Sequence, residues 1–354
     1  MTKVYVGMSG GVDSSLTAAL LKEQGYDVTG VYMKNWTQDL PGMKCPWADD
    51  LADAKRVAVQ LGIDFKVYDF ENEYKQKVVD YMIDEYTLGR TPNPDIMCNQ
   101  EVKFKLFLEA ALEDGADMIA TGHYARVKDG VLLQAVDTNK DQTYFLYRVT
   151  GEALKKTVFP LGEYTKPFVR EMAKERGLYT AAKKDSQGIC FVGQIGIREF
   201  LSQYITQTAG SIIDTKNGKV LGQHDGAIFY TIGQRHGLDV GGGLPYYVVG
   251  KNMDKNEVYV TTNLNDGNLW RPELKLSHVH WINEAPAGST LNIRVRHRAR
   301  LVPATYSASN DTLTLTLENS ERAVAAGQSV VLYDGDICVG GGIVADFVAA
   351  SSAE

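Results

Sequence analysis

Cysteines are few in this sequence, and those present follow no pattern. Cys45, Cys98, Cys190 and Cys338 are scattered and form no CxxC pair. That spacing argues against a zinc ribbon and against a disulfide framework. Isolated cysteines ordinarily serve as small buried hydrophobes, so one that carries chemistry must be singled out by its surroundings. No apolar run is long enough to span a bilayer, and Met1-Thr2-Lys3-Val4 opens no signal-peptide hydrophobic region. A cytoplasmic protein without a membrane partner is the expectation. A basic excess is missing too, with 37 Lys and Arg against 44 Asp and Glu, a net charge of −7. Taken alone this speaks mildly against nucleic acid as a partner. It does not exclude a local basic surface, so the position of the arginines decides. The chain has no sequence repeat, and its small polar tail from Ala349 to Glu354 is expected to fray.

What is present begins with Ser9-Gly10-Gly11-Val12-Asp13-Ser14-Ser15. The apolar run Val4 to Met8 leads into it, and Leu16, Ala19 and Leu20 leave it at helical spacing before Gly25. Strand, glycine turn and helix start follow in direct succession. Paired glycines let the backbone approach an anion, and the first N–H groups of the helix then face it. Ser9, Ser14 and Ser15 add hydroxyl donors. The Lys-Ser/Thr ending of a Walker A loop is absent. A serine-capped glycine turn is the plain reading, and a phosphate cradle the favoured one.

At 354 residues the chain is too long for a single compact core, and two or three domains are expected. Strands at Val28 to Met33 and Phe65 to Phe70 alternate with helices at Leu51 to Leu61 and near Glu73 to Tyr86. Such alternation implies a doubly wound parallel sheet, with ligands beyond the carboxyl ends of its strands. Gly89 to Asn99 follows, with Pro92 and Pro94 expected to exclude a regular helix. Cys98 then falls just before a helix expected near Val102 to Leu112, where the helix dipole would favour its thiolate. An incidental cysteine in a surface loop is the competing reading. Ala116 to Thr121 reads as another core strand, running into Gly122 and His123. Lys140-Asp141-Gln142 is a polar turn. Lys183 and Lys184 precede Cys190 and would favour its thiolate.

Composition changes near Gln194. One helix, Arg198 to Thr206, precedes glycine-rich, strand-prone sequence including Ile228 to Arg235. After Pro272, short strands separated by turns imply a small β-barrel or sandwich. The expected domains are therefore 1–193, 194–271 and 272–354. In the last, Arg294, Arg296, Arg298 and Arg300 alternate with Val295, His297 and Ala299. On a strand all four guanidinium groups would share one face. An RNA phosphate track is favoured over a solvated face paired with acids.

The string SGGVDSS resembles the signature of the PP-loop ATP pyrophosphatases. Together with GRTPNPDxxCN, TGHYAR, KDQ, SQGIC and TIGQRHGL, it makes the whole chain resemble the bacterial tRNA 2-thiouridylase family. The resemblance implies a PP-loop domain, a small α+β central domain and a C-terminal β-barrel. It implies ATP on Gly7, Met8, Ser9, Gly10, Gly11, Val12, Asp13 and Ser14, with Met33 and Gly122 near the adenosine. Mg²⁺ is expected with the nucleotide. Asn93, Pro94 and Asp95 would meet the target base, the wobble uridine of Glu, Gln and Lys tRNAs. His123, Lys140, Asp141, Gln142, Arg296, His297 and Gln328 match tRNA-contacting positions. Cys98 matches the nucleophile and Cys190 the carrier of a persulfide sulfur delivered by a donor protein. Asp95 is a candidate general acid/base, and a monomer is expected. An iron–sulfur cluster on Cys98, Cys190 and a third ligand stays open. The family often has tyrosine at the position of His297, and strand alternation would turn His297 away from Arg296.

Overall fold

The computed structural model describes residues 1–39, 45–184, 196–241, 243, 245–309 and 312–345. Five parallel strands form the first sheet, in the order Asp64–Asp69, Asp27–Lys34, Lys3–Gly7, Met118–Ala120, Thr157–Val158. Both faces of its central strand are covered, which explains the unbroken apolar run Val4 to Val6. Val4 and Val6 face a cluster with Ala18, Leu21, Ala54 and Val57, whereas Tyr5 faces one with Phe107, Ile119 and Ala111. The strand order reverses at Lys3–Gly7. The serine-glycine loop leaves the carboxyl end of that strand, where such sheets open a ligand crevice.

The proline-framed segment departs from expectation. Asn93 caps a helix that begins at Pro94, its side-chain oxygen accepting from the Asp95 N–H. Proline fits there because the first helical position needs no N–H donor. The helical run 94–113 then continues through a π-helical stretch, Cys98–Leu106, to Phe107–Glu113. Cys98 lies inside this helix rather than ahead of it.

The central unit carries a four-stranded mixed sheet, in the order Tyr247–Asn252, Glu257–Thr261, Gly210–Asp214, Val220–His224. Its helix is shorter than expected, Ile197–Leu201. The strand expected at Ile228 to Arg235 does not form. Gly226, Gly233 and Gly237 take positive φ, bending the chain into a 3₁₀ turn at Ala227–Phe229 and tight turns beyond.

Six strands close the C-terminal barrel. Trp270–Trp281 pairs with Thr312–Arg322, followed by Val302–Ser309, Thr290–Arg294, Ser329–Asp334 and Ile337–Val344. The last strand returns to Trp270–Trp281. The hairpin Arg126–Lys128 and Val131–Leu133 adds to the barrel from outside, through Ile337–Val344. Leu132, Tyr144, Tyr147, Tyr333 and Cys338 accordingly share one core with the first sheet.

The arginine row is not a row. Its strand ends at Arg294, and 295–298 turns, with Arg298 at φ +62° and the Ala299 N–H bonded to the Arg296 carbonyl at 3.0 Å. Arg294 points inward to a buried partner, Asp141, at 2.9 Å. Arg300 pairs on the surface with Glu321 at 3.5 Å.

Candidate active site

The serine-glycine loop is braced from within. Ser14 Oγ accepts from the Ser9 N–H at 3.1 Å and donates to the Gly11 carbonyl at 3.2 Å, while Ser15 Oγ donates to the same carbonyl at 2.8 Å. The hydroxyls of Ser14 and Ser15 thus hold the turn. Gly10 sits at φ +73°, and a Cβ there would lie 2.3 Å from the Asp50 carbonyl oxygen. No side chain caps the helix Val12–Glu23. Its first N–H groups stay oriented toward the space above the loop, the arrangement that receives a phosphate.

Gly122 closes the crevice from the neighbouring strand. A Cβ on it would come within 2.9 Å of the Asp13 carbonyl carbon and the Ser14 nitrogen. Its lack of a side chain therefore serves contact with the loop. Gly122→Ala is expected to push that backbone aside at about 1–3 kcal/mol, weakening ATP binding about tenfold. Calorimetric titration with ATP checks this. Met8 is buried beneath the loop, where a Cβ on Gly30 would meet its sulfur at 2.5 Å. Met33 lies over Gly7, its methyl 3.0 Å from where a Gly7 Cβ would be.

Three residues complete this region, of which Lys166 belongs to no motif in the sequence and Tyr124 and Gln142 belong to the TGHYAR and KDQ strings. Lys166 places Nζ 2.7 Å from both Asp13 carboxylate oxygens, and Tyr124 donates its hydroxyl to Asp13 Oδ1 at 2.9 Å. Gln142 accepts the Tyr124 N–H at 2.9 Å. The side chain of Gln142 therefore fastens the polar turn to the loop's neighbour. Lys183 pairs with Asp50 and Asp53 at 2.8 and 2.7 Å, so its charge is spent there. Asp50 also abuts Gly10, which places residue 183 on the rim of the same crevice. Cys190 lies outside the described residues.

Cys98 is 1% exposed, within a cluster that includes Cys45, Tyr74, Val102 and Phe200. It carries no disulfide. The helix holding it reaches back to the sheet, because Phe107 packs beside Gly7. Cys98 opens the π-helical stretch and Phe107 follows its end, so the length of that stretch separates the thiol from this contact. Asn99 secures this helix by donating to the Phe145 carbonyl at 2.9 Å.

A second centre forms where the cysteine helix begins. Thr91, Pro92 and Asn93 line a cavity of about 150 Å³ together with Tyr144, Arg296, His297, Gln328 and Ser329. Four expected RNA-contacting residues, Asn93, Arg296, His297 and Gln328, are thereby brought together from two domains. The turn after Arg294 lets the adjacent Arg296 and His297 line one cavity, which a strand would forbid. Arg296 is braced by the Ala323 and Arg322 carbonyls. His297 packs on Phe145, with ring centroids 4.6 Å apart. Burial, then the nearby Arg298, pushes its imidazole down to about 4. Its ring is expected to stay neutral in an NMR titration from about pH 8 to about pH 5.5. In the unfolded chain histidine takes its proton near pH 6.5. Below that pH this residue therefore opposes folding, increasingly down to about pH 4.

Two of the expected RNA-contacting residues are buried. Asp141 is 1% exposed, accepting from Arg294, Thr143 Oγ1 and the Ala135 N–H. His123 is buried between Phe104 and Phe159, bonded through Nδ1 to Thr121 Oγ1 at 2.7 Å. Desolvation holds its imidazole well below the usual value. Both side chains brace the fold around them. Lys140, Pro94 and Asp95 flank the two centres, and Lys140 and Asp95 are half-buried. A second cavity, about 340 Å³, is lined by Asp69, Glu71, Glu73 and Lys75, with Asp69 and Glu71 already paired to Lys34. Among the described residues no three His, Cys, Asp or Glu side chains gather to hold a metal.

Family models cover nearly the whole chain. A tRNA methyl transferase HUP domain matches residues 2–194, a tRNA methyl transferase PRC-barrel domain 198–262, and an aminomethyltransferase beta-barrel domain 271–344. The tRNA-specific 2-thiouridylase MnmA of Bacillus thuringiensis (strain Al Hakam) is 49% identical over 352 residues, covering 97% of this chain and 94% of the relative. The MnmA protein of Bacillus anthracis matches to the same extent. This chain belongs to the MnmA family. Among solved structures, a 4-thiouridine synthetase–RNA complex with bound ATP aligns at TM-score 0.37 and 18% identity, over 57% of this chain and 50% of that one. An NMN synthetase from Francisella tularensis aligns at 0.35 and 15%, over 52% and 66%. Neither likeness is strong enough to carry a functional argument. As an MnmA family member the chain has the expected architecture, a parallel-sheet domain, a central domain and a closed barrel.

Proposed function

We propose that this chain uses ATP to replace the C2 oxygen of a tRNA wobble uridine with sulfur. The observation that carries the reading is the union of Asn93, at the start of the cysteine helix, with Arg296, His297 and Gln328 of the barrel around one cavity. Family membership supports tRNA thiolation. The braced loop with an uncapped helix start supports ATP as the activating substrate.

The chemistry suits these residues. A uracil C2 carbonyl is a poor electrophile with a poor leaving oxygen. Attack of that oxygen on the α-phosphorus of ATP releases pyrophosphate and makes AMP the leaving group. N–H groups of residues 10–14 would receive the phosphate charge. Mg²⁺ would arrive on the nucleotide, since Asp13 is already engaged by Lys166 and Tyr124. A persulfide on Cys190 then attacks C2 through its terminal sulfur, and AMP departs. Cys98 attacks the Cys190 sulfur of the resulting S–S link, leaving the thiolated base and a Cys98–Cys190 disulfide for a thiol reductant. In the alternative order Cys98 attacks the persulfide first and frees hydrosulfide for C2. Asp95, held at the first turn of the cysteine helix, is the candidate to move a proton on the uridine.

Incubation of the purified chain with a tRNA transcript, ATP and a small persulfide tests the proposal. Pyrophosphate and AMP are expected only when tRNA is present, with 2-thiouridine detected by mass spectrometry of the digested tRNA. Formation of ADP, or ATP cleavage indifferent to tRNA, would count against it.

A further inference from the structure

We propose that Lys166 makes the ATP loop receptive to polyphosphate by neutralising Asp13, acting as a positioning residue through that carboxylate. The inference rests on reading the loop as a nucleotide site. Lys166 is an unfavourable residue for its place on two counts. It opens the helix Lys166–Glu175, where the dipole disfavours a cation, and it is only 7% exposed, which desolvates the ammonium. Its backbone is fixed by an N–H bond to Asp137 Oδ2 at 2.9 Å. The packing of Val169, Met172 and Ala173 against Val12, Leu16 and Ala19 aims the side chain at the loop.

Both carboxylate oxygens of Asp13 lie 2.7 Å from Nζ, and the Tyr124 ring centroid lies 5.6 Å from it. Asp13 occupies the first turn of the helix that follows the loop. A carboxylate there competes for the same N–H groups and the same dipole that an incoming phosphate needs. It also repels that phosphate. Pairing with Lys166 removes the net charge while keeping Asp13 in position. The lysine therefore compensates a charge that the loop carries before nucleotide arrives.

The test is calorimetric titration of the purified full-length chain and its variants with α,β-methylene-ATP, which binds without being split. Lys166→Met is expected to weaken binding at least about tenfold. The double variant Asp13→Asn with Lys166→Met is expected to return to within about threefold of the unaltered protein, because no carboxylate is left to neutralise. Asp13→Asn alone should bind as tightly or more tightly. A double variant as weak as Lys166→Met would overturn the proposal in favour of direct contact between Lys166 and phosphate. Unchanged binding by Lys166→Met would overturn it outright. Should Lys166→Met lose its thermal unfolding transition, Asp13→Asn decides, and weaker binding by it refutes the idea. If the unaltered protein binds no nucleotide, the nucleotide reading falls and this inference with it. A variant pattern opposite to the expected one leaves the nucleotide reading standing.

Discussion

Cys98→Ser is expected to lower thiolation on the order of 10³-fold or more, the scale that follows loss of a covalent nucleophile, while tRNA-dependent AMP and pyrophosphate release continues. A serine hydroxyl has no accessible anion at neutral pH and cannot take part in thiol exchange. The adenylation half of the reaction uses the loop at residues 9–14, on a different element from Cys98, and needs no sulfur. Burial adds a second readout. With the thiol 1% exposed among Tyr74, Val102 and Phe200, iodoacetamide should label Cys98 slowly in the free protein. Labelling should speed up if RNA docking opens the packing around the helix start. A serine here meets an apolar site, at about 1–3 kcal/mol, so the variant's melting curve must accompany the assay. Unimpaired thiolation in a folded Cys98→Ser protein would remove Cys98 from the mechanism.

The largest stability effect is expected at Arg294. Its guanidinium meets Asp141 at 2.9 Å, with side chains 9% and 1% exposed, and lies 5.2 Å from the Tyr333 ring centroid. Arg294→Met leaves a buried carboxylate without its cation, and such breakage costs about 3–5 kcal/mol. Arg294→Met with Asp141→Asn should recover much of that loss, since a neutral pair escapes the charge penalty. Urea denaturation of the three proteins measures the difference. Because Arg296 and His297 follow Arg294 directly, the single variant should also bind tRNA more weakly. A single variant as stable as the unaltered protein would show that the pair does not join the barrel to the first domain.

Some of this molecule was readable before its folding. The apolar stretch Val4 to Val6 marked a strand covered on both faces, and paired glycines before a helical pattern marked the turn between that strand and its helix. Both rest on local chemistry, which sequence carries directly. Arginine alternation misled, because period two signals a shared face only while the strand lasts, and this strand stops at Arg294. Pro94 misled similarly, since proline bars the middle of a helix and suits its first position. Lys166 carried no local signal, and the motifs holding Tyr124 and Gln142 did not show that they meet the loop. Lys166 lies 153 positions from Asp13, and only helix-on-helix packing brings it there.

By itself the sequence determined the alternation of strand and helix, the serine-glycine loop, the cysteine set and the motifs that mark the family. These depend on side-chain pattern over a few residues and on backbone freedom at named glycines. Tertiary structure alone decided which charges meet. It buried Asp141 with Arg294, set Lys166 on Asp13 and turned Arg296 and His297 into one cavity with Asn93 and Gln328. A charge's role depends on the dielectric around it and on the partner within a few ångströms, and both are properties of the packed chain.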